Sequence, residues 1–199
     1  QKTDGLIFWV LSPIIGVIAF SSIILKPLIG DYTAFINNSL ILVGFMTILE
    51  GNLQFRGLGD KTKRIKYWAI LIVIAFVMSF VNATNPTNRY LMYDIFLTLL
   101  LIGMPISLLY KQKKNLTLYI LPSVFAIILA TSHMYRWVLA FTGEIKAYDG
   151  IHPVVAYLYF AGITFSITWV ISVLLIIQEL YNDRLVFLAD YDSMTALLN

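Results

Sequence analysis

Ala69-Ile-Leu-Ile-Val-Ile-Ala-Phe-Val77 is an unbroken apolar run, and its reading decides the fold. No polar residue alternates with the apolar ones, so the run lacks the period of two that a half-buried or barrel strand shows. It sits inside a longer segment, 67–83, that contains no charged side chain. A helix rises about 1.5 Å per residue, so a segment of this length approaches the roughly 30 Å of hydrocarbon in a bilayer. Five further segments have the same character: 6–25, 33–49, 91–110, 116–140 and 154–177. None of them carries more than one Asp, Glu, Lys or Arg.

Composition leads to the same place. The chain of 199 residues is 59% hydrophobic and 13% charged, with a mean hydropathy of +0.82. Soluble domains run near 45–50% apolar and about 25% charged, so a water-soluble domain is excluded and the lipid bilayer is the expected solvent. Lipid cannot satisfy an open sheet edge, so the expected class is an all-α, polytopic integral membrane protein with six transmembrane helices. A five-helix alternative stays open, because segment 33–49 is short and diluted by Asn37 and Asn38. Pro13, Pro105 and Pro122 fall inside spans. Segment 6–25 does not read as a signal peptide, its core being too long and no small-residue cleavage site following Leu25. The absence of cysteine excludes disulfides, zinc–thiolate sites and thiol catalysis. A net charge of +3 is too small to expect a nucleic-acid partner.

The distribution of that charge sets an expected orientation. Loop 51–66 holds Arg56, Lys61, Lys63, Arg64 and Lys66, and turn 111–115 holds three more lysines. With Lys2 and Arg184 this side carries ten cations, against Lys26, Arg89 and Lys146 on the alternate connections. The positive-inside rule makes the ten-cation side cytoplasmic, and an even number of spans agrees by putting both termini there.

Beyond the sixth span, residues 178–189 continue as a helix-compatible segment. Apolar residues at Leu174, Ile177, Tyr181, Leu185 and Leu188 recur every three or four positions. That spacing suits pairing with a second copy, giving a homodimer through the exit helix; a helix lying on the lipid surface is the other reading. The sequence Leu188-Ala-Asp-Tyr-Asp-Ser-Met-Thr-Ala-Leu-Leu-Asn199 then resembles the opening of a GGDEF domain, the catalytic domain of bacterial diguanylate cyclases. Such domains open approximately with D-x-L-T-G-L-x-N-R-R after a helical linker. Asp192, Thr195, Leu197 and Asn199 match, Met194 stands for the usual Leu and Ala196 for the usual Gly. Asp192 or Ser193 would cap the domain's first helix.

The resemblance implies three parts: a transmembrane sensor over 1–177, a helical signalling linker over 178–190 and the start of a truncated GGDEF domain over 191–199. It also implies a bacterial cytoplasmic membrane and a full-length protein that makes cyclic di-GMP from GTP with Mg. The catalytic residues of such a domain, active or degenerate, would lie beyond residue 199. None is expected within these residues, so whether the chain itself counts as an enzyme stays open.

Polar groups inside spans are costly, about 2.5–3.5 kcal/mol for a charge at mid-bilayer on insertion scales, and are functional candidates for that reason. The orientation above puts nearly all of them in the outer third. Tyr93 and Asp94 lie near the outer start of the fourth span, and His133, Tyr135 and Arg136 reach the same depth on the fifth. Asn82 closes the third span, Asn37 and Asn38 open the second, and His152 precedes Pro153 at the mouth of the sixth. Only Glu50, at the surface, is expected in the inner third. The expectation is a polar cavity open to the exterior, taking a small ligand or peptide through Asp94, His133, Arg136, Tyr93, Asn82 and His152. Tyr32, Tyr90, Tyr135 and Trp137 stand at the same level as candidate walls. Asp94 and Arg136 are expected to pair across consecutive antiparallel helices; Arg136 reaching into headgroups is the competing reading. The two histidines lack a third nitrogen or thiolate, so no metal is expected. Besides the sensor, two readings remain: the membrane part of a sensor kinase or peptide receptor, and a transporter fragment. The transporter would need polar residues through the midplane and the inner half.

Overall fold

The computed structural model describes residues 5–82, 84–112, 115–145 and 153–190, and shows no strand among them. The helices are α1 (Leu6–Ser21), α2 (Lys26–Ile29), α3 (Tyr32–Phe55), α4 (Lys61–Val81), α5 (Pro86–Leu109), α6 (Leu116–Phe141) and α7 (Pro153–Asp190). A 3₁₀ turn over Ser22–Leu25 joins α1 to α2. Counting α1 to α2 as one stretch, six helical segments are long and apolar enough to cross a membrane. The chain is thus an all-α, multi-pass membrane protein, and six spans replace the five-helix alternative. The segment that looked weakest, α3, is 24 residues long. The Asn37 side chain that lowered its hydropathy donates to the Ala19 carbonyl at 2.7 Å, inside the bundle.

The sequence punctuates these helices locally. Asp60 caps α4 by accepting from the Thr62 and Lys63 amides, at 2.8 and 3.3 Å. Asn85 accepts from the Asn88 amide at 3.1 Å, and Pro86 opens α5, a position where its missing N–H costs nothing. The turn between α5 and α6 is tight. It uses two left-handed residues, Lys111 (φ 53°) and Asn115 (φ 51°), the second a residue type that tolerates this region.

Contacts run α1 to α3, α3 to α5, α5 to α6 and α6 to α7, and α7 touches α1 only lightly. These five helices form a ring, and α4 lies outside it against α3 and α5. The outward surface is apolar: Val17, Val73, Leu99, Ile106, Ile127 and Ile167 are all exposed. Such a surface would be a liability in water and costs nothing in lipid. The interior carries the polar groups, where helices can satisfy them mutually.

One end of the ring collects the start of α1, the ends of α3 and α5, and the middle of α7. Gly5 (φ 102°) is seated so that a Cβ there would fall 2.4 Å from the Gly51 carbonyl, which leaves glycine as the residue that fits. Arg56 donates to the Tyr110 carbonyl, and Asn115 donates to Glu179. From Glu179, α7 runs on to Asp190, projecting roughly 17 Å past this contact. The cations of 56–66 lie at this same end, called here the basic end.

Candidate functional site

At the other end, α5 and α6 face each other with matching polar rows. On α5, Tyr90, Tyr93, Asp94, Leu97 and Leu101 are all buried, at spacings of three and four that make one helix face. On α6 the corresponding row is Leu129, His133 and Arg136. The short turn holds the two rows at one depth.

Asp94 has no exposed surface. Its Oδ2 accepts from Arg136 Nε at 2.8 Å, and its Oδ1 accepts from Arg136 Nη2 at 2.5 Å. His133 Nδ1 lies 2.8 Å from the same Oδ1. An ionised carboxylate only accepts, so Nδ1 carries the hydrogen and Nε2 is left as the outward nitrogen. The guanidinium of Arg136 stands 4.5 Å from the Tyr90 ring centre, a cation–π distance, and the Tyr93 and His133 rings meet edge to face at 6.1 Å. A two-pronged Arg–carboxylate pair is the strong form of the interaction and fixes both side chains. Arg136 therefore turns inward, its side chain 11% exposed, rather than reaching into headgroups.

This cluster forms one end of a cavity of about 520 Å³ inside the ring. The polar end is lined by Asn37, Asn38, Arg89, Tyr93, His133 and Arg136, and the other end by Ser12, Phe45, Ile48, Leu97, Phe165 and Trp169. Aromatic rings pack at this other end: Phe45 to Phe165 at 5.5 Å, and Trp9 to Trp169 at 5.9 Å between ring centres. The cavity opens sideways between α1 and α7, where the lining residues Val17, Phe20, Ile163 and Ile167 are exposed. Gly16 and Gly162 stand at this opening, and a Cβ built on either meets nothing within 4 Å. Asp94 sits behind the wall, and no Asp or Glu is among the described lining residues. Arg136 Nη1, His133 Nε2 and the Tyr93 hydroxyl make no hydrogen bond among the described residues.

Of the residues expected to form the site, the structure brings Asp94, His133, Arg136 and Tyr93 together. Asn82 is elsewhere: it ends α4, outside the ring, and its amide donates to the Met78 carbonyl at 2.8 Å. His152 lies outside the described residues. Tyr90 walls the cavity as expected, whereas Tyr32 and Tyr135 are exposed and absent from its lining. Trp137 instead donates to the Leu91 carbonyl at 3.1 Å. The charge distribution places Arg89 on a connection, yet it lies in the first turn of α5, buried at 4% exposure on the cavity wall. The pair Asn85-Pro86 was the available signal, since it starts the helix before residue 89.

The basic end also corrects an expectation. Glu50 is not a surface residue but buried, held by Arg64 at 3.1 Å, by Trp68 Nε1 at 2.8 Å and by Gln54 at 2.7 Å. Asn52, fully buried, accepts from Trp9 Nε1 at 2.9 Å and donates to Ser107 at 3.3 Å. Polar groups thus recur in this half, but each of these is spent on a helix-to-helix bond. Compared with family models, curated proteins and solved structures, the chain matches none.

Proposed function

We propose that the chain is the transmembrane sensory region of a diguanylate cyclase. A ligand taken from the outer side or from the membrane biases the packing of α7, which passes the change to a cytoplasmic GGDEF domain. The observation that carries this reading is the continuity of α7: one uninterrupted helix, Pro153–Asp190, walls the cavity with Leu158, Phe165 and Trp169 and ends beside the GGDEF-like residues Asp192, Thr195, Leu197 and Asn199. A single continuous helix joins the place where a ligand would press to the place where an output domain would begin. Tyr181, Leu185 and Leu188 are exposed along its projecting part, which supports pairing with a second copy. Cyclase output joins two GTP molecules across two domains, so a paired rod is the mechanical requirement.

The aromatic packing and the satisfied polar groups toward the basic end favour a sensor over a transporter, whose path would need open polar positions there. In this reading the basic end is cytoplasmic. The test is direct. Full-length protein in lipid nanodiscs, given GTP and Mg, is expected to release cyclic di-GMP. Loss of both cyclic di-GMP formation and GTP binding in well-folded protein would turn the output away from a GGDEF domain and toward that of a sensor kinase.

A further inference from the structure

The charges at the polar end of the cavity are already met. Arg136 bonds both oxygens of Asp94, so the two residues sum to zero. Arg89, on the same wall, stands over the Tyr90 ring at 6.0 Å and is itself engaged. His133 gives its Nδ1 hydrogen to the Asp94 carboxylate. A second proton on that ring would put an uncompensated charge on a side chain only 9% exposed, which burial opposes, so Nε2 is an acceptor.

This surface lacks hydrogen-bond partners rather than a counter-charge. The Tyr93 hydroxyl, donor and acceptor at once, and His133 Nε2 make no hydrogen bond among the described residues, and both side chains line the cavity. Their complement is an uncharged group that both donates and accepts, such as a hydroxyl or a carboxamide. An ionised head would bring a charge for which the Asp94–Arg136 pair holds nothing in reserve.

Below that end the lining is Phe45, Ile48, Leu97, Leu129 and Phe165, which offer apolar contact. Along α3 the wall runs from Asn37 to Ile48, about 16 Å by helical rise, so the space is elongated. Its volume of about 520 Å³ falls within the roughly 300–1,000 Å³ of ligand cavities. The opening decides the route: between α1 and α7 it lies among Val17, Phe20, Ile163 and Ile167, side chains of the lipid-facing surface. Gly16 and Gly162 keep that slot clear from both walls.

We infer that the cavity takes up an uncharged single-chain amphiphile, entering sideways from the membrane between α1 and α7. Its head donates to His133 Nε2 and accepts from the Tyr93 hydroxyl, and its chain lies along Leu97 and Leu129 toward Phe165. The inference rests on the sensor reading, since it names what the sensor takes up, but binding is measured without any output.

The chain in nanodiscs is titrated with dodecanol, dodecanamide, dodecyl methyl ether, dodecyl phosphate and ethanol, each referenced to empty nanodiscs. Saturable binding of dodecanol or dodecanamide is expected, and the tighter of the two names the head. The ether accepts but cannot donate, the phosphate is ionised and ethanol has no chain; each is expected to bind about tenfold more weakly or worse. Phosphate binding as tightly as dodecanol would overturn the uncharged head. An equally tight ether would overturn the donation to His133, and equally tight ethanol would overturn the chain. Tyr93→Phe removes one hydroxyl and keeps the ring, and should weaken dodecanol by about tenfold. The double variant Gly16→Phe with Gly162→Phe fills the slot from both walls and should weaken it by at least as much. Unchanged binding in Tyr93→Phe would overturn the placement of the head, and unchanged binding in the double variant would overturn the entry route. If dodecanol binds through the cavity and full-length cyclase output ignores it, the sensor reading fails and the site stands. If output answers another input and neither dodecanol nor dodecanamide binds, the ligand assignment fails alone.

Discussion

Asp94 and Arg136 meet through both carboxylate oxygens across α5 and α6, and the carboxylate has no exposed surface. The pair makes each charge tolerable at membrane depth and aims the rest of the guanidinium at the cavity. Removing one partner leaves the other uncompensated, a loss of about 3–5 kcal/mol for a buried pair. Asp94→Asn and Arg136→Gln should each lower the thermal midpoint and folded yield in detergent. The double variant should lose less than the sum, by about 0.5–3 kcal/mol of coupling. Strictly additive losses, read from unfolding curves of all four proteins, would show that the two residues act independently.

Much of this site is legible in the sequence, because charge in an apolar span is rare and conspicuous. Asp94 and Arg136 stood out for that reason, and the short turn at 111–115 forced their helices together. Depth alone, however, cannot say which helix lines a cavity. Asn82 shares the depth of the cluster but sits on α4, outside the ring. Tyr135 is one residue from Arg136 and faces the other way, since adjacent helical residues point about 100° apart. Asn52 and Arg89 were missed because they fall near helix ends, where hydropathy marks a boundary rather than a burial. The GGDEF-like residues beyond Asp190 lie outside the described structure, so that part of the reading stands on sequence alone.

The glycines of the ring separate packing from space. A Cβ on Gly51 would lie 2.4 Å from Trp9 Cδ1 and 2.7 Å from its Nε1, so alanine there must displace the indole that donates to Asn52. Gly51→Ala is expected to destabilise the fold by about 1–3 kcal/mol. Gly162→Ala meets nothing and replaces a helical glycine, so it should be neutral or stabilising by up to about 1 kcal/mol. The check is the order of thermal midpoints in one detergent. Equal effects would sink the close Trp9–Gly51 packing.

The orientation is open to labelling. Lys63 lies at the basic end, in the first turn of α4, while Glu144 is exposed just past α6 at the opposite end. The chain has no cysteine of its own, so single cysteines at these positions report cleanly. On intact cells a membrane-impermeant thiol reagent should label position 144 and not position 63. The reverse pattern would invert the protein and put the cavity's polar end on the cytoplasmic side.

If α7 carries the signal as a rigid rod, its phase matters more than its length. Each added residue turns everything beyond it by about 100°, so four residues inserted between Gln178 and Ala189 rotate the output end by about 400° and nearly restore its facing. Two residues rotate it by about 200° and turn it away. The region is suited to the test because Tyr181, Leu185 and Leu188 are exposed and make no part of the ring's interior. Cyclic di-GMP production by the full-length protein should therefore fall with a two-residue insertion and largely recover with four. The response to ligand should follow the same phase, because in the proposed sensor one helix would carry both the cavity wall and the output. Output that tracks inserted length without periodicity would make the membrane region an anchor. Output that recovers in phase while losing its ligand response would instead separate rotation from sensing, leaving α7 as a coupling rod whose input comes from somewhere other than the cavity.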